Sequence, residues 1–207
     1  MHFIEKRQSP DFFEKEKDSC PLTENIPWKK FRNPCKKELK QFLIEEQKGL
    51  CIYCECHLSQ EKSHIEHLRP QSKYKQLKFE YNNLSVSCNG EILCANNKSK
   101  HGRFCGHKKN NIYDEPLFLN PLEQVDIEKY FDYDSETGAI IAKKGDKNQE
   151  SNYTINLLNL NTPYLKDSRK YAKELLLEKL SDDIDILKNE LMEDREFISF
   201  LKSCFTF

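Results

Sequence analysis

No run of eighteen apolar residues occurs in the 207-residue sequence, so a membrane-spanning helix is not expected. The opening residues, Met1 to Arg7, lack the long apolar stretch of a secretory signal, and the protein is expected in the cytoplasm, with no membrane partner. A basic excess is missing too: 33 Lys and Arg stand against 34 Asp and Glu, for a formal net charge of −1. Nucleic acid could therefore be held only by a local cluster of charge. There is no G-x-x-x-x-G-K-[ST] segment to cradle nucleotide phosphates, so any control by ATP has to come from another protein. Internal repeats and low-complexity tracts are absent. The cysteines do not suit a disulfide framework, because nine is an odd number and a reducing compartment favours metal ligation by clustered thiols. An apolar content of 37% is low but globular, enough for one sizeable core or two small ones.

What is present is concentrated between Leu50 and Lys109, which hold six of the nine cysteines and five of the six histidines. Cys51 and Cys54 form a Cys-x-x-Cys pair, with Cys88, Cys94 and Cys105 farther along. The preferred zinc set is Cys51, Cys54, Cys88 and Cys105, because each of the last two ends a segment able to return to the first pair. Cys94 is the alternative to Cys105, and Cys56 lies too close behind Cys54 to be an obvious ligand. Four thiolates leave no open position for water, so this metal is expected to be structural. Cys20, Cys35 and Cys204 stand alone and are read as small apolar or surface residues.

Between these thiols lies the pair Glu66-His67. A histidine can take a proton from water, while a neighbouring carboxylate, a hard oxygen ligand, can hold Mg2+ against a phosphate. On an extended strand the two would point to opposite faces, so they can serve one site only where the strand bends or ends. Arg69-Pro70 supplies such an end. From Ile92 to Tyr113 there are Lys98, Lys100, Arg103, Lys108 and Lys109 and no acidic residue, a solvated basic loop or a phosphate-binding stretch.

Taken in order, residues 1–34 contain four prolines and read as an extended arm anchored by Trp28 and Phe31. Lys36 to Gln47 fit a helix stopped by Gly49. Ile65 and Leu68, then Leu84, Val86 and Cys88, suggest a hairpin, with a short helix beginning near Cys105. Tyr130 to Ile141 read as two short strands around Gly138. Thr162-Pro163 opens a helix running to Leu180, and Ser181 caps a second one, whose stripe of Ile184, Leu187, Leu191, Ile198 and Leu201 packs the core or binds a partner. The class is α+β, divided as 1–49 (arm and helix), 50–114 (central module) and 115–207 (short strands, then two helices).

The succession Cys51-x-x-Cys54, Ile65-Glu66-His67-Leu68-x-Pro70, Asn83-Leu84, Cys88 and Cys105-Gly106-His107-Lys108-Lys109 resembles the zinc-containing HNH endonucleases, whose active site is a ββα-metal unit. Gln47-x-Gly49-Leu50-Cys51, Ser87-Cys88-Asn89-Gly90, Asn120-Pro121-Leu122-Glu123 and Thr154 to Asn161 extend the similarity to the PtuB-type HNH proteins of Septu and retron anti-phage systems. The resemblance implies a ββα-metal core in which His67 is the general base, Glu66 a ligand of the catalytic Mg2+ or Mn2+, and Asn83 the residue that fixes the loop holding the base. Many members place Asn or Asp directly after the last cysteine, where this chain has Gly106. His107 is then the third catalytic residue and metal ligand, with Asn97 as the alternative. The implied activity is phosphodiester hydrolysis, with DNA favoured. The implied partners are an ABC/SMC-like ATPase of the PtuA type and, in retron versions, a reverse transcriptase with its multicopy single-stranded DNA. The aromatic end of the chain, Phe197, Phe200, Phe205 and Phe207, is proposed as the surface that docks the ATPase. Cleavage of RNA such as tRNA by the same groups, a noncatalytic zinc-dependent nucleic-acid-binding module and a scaffold remain the alternative readings.

Overall fold

The computed structural model describes residues 1–19, 25–90, 102–179 and 195–205. Among them, helix α1 spans Asp11–Ser19 and α2 spans Cys35–Glu46. Strands β1 (Ser63–His67) and β2 (Leu84–Cys88) follow, then a short helix α3 (Cys105–Lys109). A second pair, β3 (Phe131–Tyr133) and β4 (Ile140–Ala142), precedes α4 (Asn148–Leu158), α5 (Pro163–Lys179) and α6 (Ile198–Cys204). Both sheets are two-stranded and antiparallel, so the class is α+β as expected. No helix among the described residues is long and apolar enough to cross a membrane.

The β1–β2 hairpin is the hinge of the architecture, because its two faces carry different chemistry. Ile65 pairs with Val86 and His67 with Leu84, while His64 pairs with Ser87 and Glu66 with Ser85. Directly opposed residues share a face. The face carrying Ile65, Leu84 and Val86 is covered by α2, whose Leu39 and Leu43 recur at i and i+4 and are fully buried, together with Phe13, Phe31 and Phe79. The other face presents hydroxyl, imidazole and carboxylate groups towards α3.

Helix α2 ends as its sequence suggests. Gly49, at φ +77, donates its N–H to the Ile44 carbonyl at 2.8 Å, the wide closing bond of a left-handed helix end. Just before it, the buried Gln47 side chain donates to the carbonyls of Leu50 and Val86 and accepts from Val86 N–H at 2.6 Å. That one amide ties the helix end to β2 and sets where the following cysteines enter.

Three expectations need correction. The arm is not wholly extended, since Pro10 opens α1 by accepting the N–H groups of Phe13 and Glu14; proline is well suited to a first helical turn, and here it starts a helix. Helix α4 escaped notice because its inner face mixes Ser151 and Thr154, both fully buried, with Ile155 and Leu158, so its apolar stripe is short. Their hydroxyls are satisfied: Ser151 donates to the Lys147 carbonyl and Thr154 accepts from Leu119 N–H. The proposed docking aromatics are core residues, Phe197 being 2% and Phe200 0% exposed, and Phe205 packs against the same cluster. Ser181, Ile184, Leu187, Leu191 and Phe207 lie outside the described residues, as does Cys20.

Candidate functional site

Cys51 and Cys54 lie on the turn after α2, where Cys51 N–H donates to the Cys56 carbonyl and Glu55 N–H returns to Cys51 at 3.0 Å. Cys88 ends β2. Cys105 opens α3 at φ +54, a left-handed conformation that a cysteine adopts only under constraint. Their four sulfurs lie within 4.8 Å of one another, all buried and none in a disulfide. Cys54 Sγ and Cys88 Sγ are 3.7 Å apart. A tetrahedral ion with zinc–sulfur bonds of about 2.3 Å requires edges of about 3.8 Å, so the donor set fits a metal such as zinc. The Cys88 N–H also donates to Cys51 Sγ at 3.4 Å, a contact that favours a thiolate. Cys56 is buried but stands outside this set, and Cys94 falls outside the described residues.

The polar face of β1 forms the second cluster. Glu66 is 7% exposed, and its Oε1 accepts from Tyr53 Oη at 3.0 Å and Lys109 Nζ at 2.8 Å. Its Oε2 lies 3.3 Å from His64 Nε2. Burial opposes the charge on Glu66, but the Lys109 ammonium and His64 outweigh it and hold the carboxyl down at about 2. Burial likewise opposes charge on His64, and the neighbouring carboxylate turns the balance, raising it above an ordinary histidine. The His107 ring stacks on His64 with centroids 4.6 Å apart and planes at 18°. Gly106 passes so close above this group that a β-carbon there would lie 2.6 Å from Glu66 Oε2 and 2.7 Å from His64 Nε2. An Asn or Asp at this position would displace one of them.

His67 ends β1, and its side chain leaves on the apolar face, yet His64, Glu66, His67, Arg103, Gly106 and His107 line one cleft. The strand end permits this. The His67 ring packs edge-on against Trp28 at 4.6 Å, and its Nε2 is 3.0 Å from the Lys78 carbonyl. A carbonyl only accepts, so Nε2 carries the hydrogen and Nδ1 holds the lone pair. Burial pushes His67 down to about 4 against the raising influence of that carbonyl, so the ring is neutral in the neutral pH range. Asn83 holds the loop between the strands. Its Oδ1 accepts from Arg69 N–H at 2.8 Å, while Nδ2 donates to the carbonyls of Arg69 and Leu77.

Of the expected phosphate contacts, Arg103 is exposed and lines the cleft, Lys108 is exposed on α3, and Lys98, Lys100 and the alternative ligand Asn97 lie outside the described residues. Lys109 does not face solvent: it is 0% exposed and donates to Glu66 and, at 3.0 Å, to the His67 carbonyl. Its neighbours in the basic run hid this, because position on a one-and-a-half-turn helix, and not composition, turns it inward. His64, Asn89, Tyr53 and the Trp28 contact with His67 were not singled out by sequence reasoning. His64 had a readable signal: it sits two residues before Glu66, on the same strand face.

No family model matches the chain. It is 34% identical over 149 residues to the candidate HNH endonuclease of retron Vc95 from Vibrio cholerae serotype O1 biovar El Tor, covering 69% of this chain and 66% of that protein. The chain belongs to the HNH endonuclease family. A second relative, the candidate HNH endonuclease of retron Ec83 from Escherichia coli, is 27% identical over 185 residues, 70% of each chain. The Septu protein PtuB from Bacillus thuringiensis is 34% identical over 65 residues, 30% of this chain and 24% of PtuB. This HNH chain thus spans about two thirds of the length of its two retron relatives.

Proposed function

We propose that the chain is a metal-dependent endonuclease that hydrolyses phosphodiester bonds, with DNA favoured, and that β1, β2 and α3 form its ββα-metal unit within residues 50–114. The segments 1–49 and 115–207 serve as its supports. The observation that carries the reading is the convergence in one cleft of a buried, ionised Glu66 and a neutral His67 whose tautomer is fixed by the Lys78 carbonyl. Cys51, Cys54, Cys88 and Cys105 hold a structural zinc that fixes the start of α3 against the hairpin.

In the reaction, His67 Nδ1 takes a proton from water as the water oxygen attacks phosphorus in line, and the bond from phosphorus to the 3′ oxygen breaks. Glu66 stays ionised because Lys109 and Tyr53 fix one of its oxygens, leaving the other towards the cleft. A Mg2+ or Mn2+ ion at Glu66 and His107 supplies, when bound, positive charge against that developing on the phosphate and the leaving oxygen. Asn83 keeps the loop, and with it the carbonyl that orients His67, in place. Arg103 and Lys108, with Lys98 and Lys100, hold the backbone without reading bases.

The retron and Septu relatives support a place as nuclease of a defence system; in this reading its partners, carried by the family resemblance alone, are an ABC/SMC-like ATPase and, in a retron setting, a reverse transcriptase with its multicopy single-stranded DNA. The test is cleavage of DNA and tRNA by the purified chain, alone and with the ATPase, in Mg2+ and in Mn2+. His67→Ala should lose about 100-fold to 10,000-fold of the rate while keeping its zinc. Unchanged activity in that variant, or cleavage of neither substrate under any of these conditions, would remove the reading.

A further inference from the structure

The donors around Glu66 are richer in nitrogen than Glu66 and His107 alone. His64 lies on the same strand face, and its Nδ1 is 2.8 Å from Asn89 Oδ1. The Asn89 amide is itself oriented, since its Nδ2 donates to the Glu61 carbonyl. An amide oxygen only accepts, so Nδ1 carries the hydrogen, and Nε2 of the neutral ring presents a lone pair to Glu66 Oε2. Two such atoms face each other with a cation between them, either a proton shared in an ion pair or a metal ion that takes the proton's place. Their separation of 3.3 Å is also close to that of two ligand atoms, each about 2.2 Å from one ion, at neighbouring corners of its coordination shell. An imidazole whose far N–H is held by an oxygen acceptor is the usual preparation of a metal-binding histidine.

Donor chemistry then bears on which ion is held. Mg2+ is hard, keeps water and prefers oxygen, whereas two imidazoles with one carboxylate suit first-row transition ions. Resting on the reading that a catalytic dication occupies this cleft, we propose that His64 is a protein ligand beside Glu66 and His107, positioned by Asn89, and that the site selects Mn2+ over Mg2+. Gly106 belongs to the same arrangement: its missing side chain leaves the contact between His64 and Glu66 undisturbed.

The test uses the full zinc-loaded chain without nucleic acid, titrated with Mn2+ and followed by electron paramagnetic resonance, with pulsed measurements counting coupled nitrogens. Wild type should show two imidazole nitrogens and require at least a tenfold excess of Mg2+ to release the ion. His64→Ala should show one nitrogen and bind Mn2+ about 10-fold to 100-fold more weakly, while Asn89→Ala keeps both nitrogens and loses about tenfold in affinity. A wild type that binds no Mn2+, shows fewer than two nitrogens, or is emptied by equal Mg2+ overturns the proposal, as does a His64→Ala protein with unchanged couplings. The wild-type count decides even where the variant does not fold. Cleavage is scored separately: Mn2+ held through two nitrogens without any cleavage would sink the nuclease reading alone, and cleavage with a single coupled nitrogen would sink this proposal alone.

Discussion

The two donor clusters of this chain are near neighbours with opposite character. Four buried thiols converge on one side, a uniform and closed set; on the other, His64, Glu66 and His107 offer mixed donors at the edge of a cleft. Ser87 stands between them, its hydroxyl accepting from Gly106 N–H at 3.1 Å and lying 3.9 Å from Cys51 Sγ. Both clusters depend on the first turn of α3, where Cys105 faces the thiols and the next two residues face the cleft. The same turn thus ties a site suited to holding the fold together to one suited to handling a substrate. Damage to the first should propagate to the second, and damage to the second should stay local.

The largest effect expected from breaking this comparison is at Cys54. Cys54→Ser should lose its zinc and with it metal-binding free energy on the order of 10 kcal/mol that is also folding energy, so the central module should unfold. Metal analysis and thermal melting check this, and a variant that melts like wild type would mean the thiols hold no structural ion.

Next comes Lys109, which neutralises the buried Glu66. Lys109→Met should destabilise the chain by about 3–5 kcal/mol in urea, because it leaves a buried carboxylate without its cation. Adding Glu66→Gln should recover part of that loss. A cost below about 1 kcal/mol for Lys109→Met would show that the pair is solvated and that Lys109 is available to the substrate after all.

A smaller effect concerns pH. Burial lowers His67 from its ordinary 6.5 to about 4, so between these values the unfolded chain binds a proton that the folded one refuses. Stability must then fall as pH drops through this window. Wild type should lose about 2 kcal/mol more than His67→Gln on going from pH 6.5 to 4.5, as read from paired urea curves in which acid effects on the thiols cancel. Equal losses would place the ring in solvent. Glu66, also held low, adds its own loss only below about 4.5.

The smallest stability change is expected at Lys108, exposed beside the inward Lys109. Lys108→Ala should alter stability by no more than about 0.5 kcal/mol, yet lower the salt slope of DNA binding by about 1 when introduced into the inactive His67→Ala chain. An unchanged slope would take Lys108 out of the phosphate path.

Several elements were legible from sequence because their signals are local. Helix α2 has its apolar period and Gly49 stop, and the β3–β4 pair its turn at Gly138. Thr162 Oγ1 accepts from Leu165 N–H at 3.2 Å at the start of α5, as expected of a cap. Helix α4 was not legible, since half of its buried face is Ser151 and Thr154 beside Ile155 and Leu158, and these hydroxyls turn inward only when groups such as Leu119 N–H arrive to use them.

The sequence by itself determined which residues could do chemistry: the spaced thiols, the Glu66-His67 pair, Asn83 and the basic run. What only the tertiary structure decided was their company. Strand alternation sends His64 with Glu66 and sends His67 towards Trp28, a partner 39 positions away in the chain. The turn of α3 buries Lys109 and leaves Lys108 outside, although the two are identical in type and adjacent in sequence. Spacing along the chain limits which side chains can meet, but direction depends on the face of the strand or helix that the core takes up, and that choice is made by contacts distant in sequence.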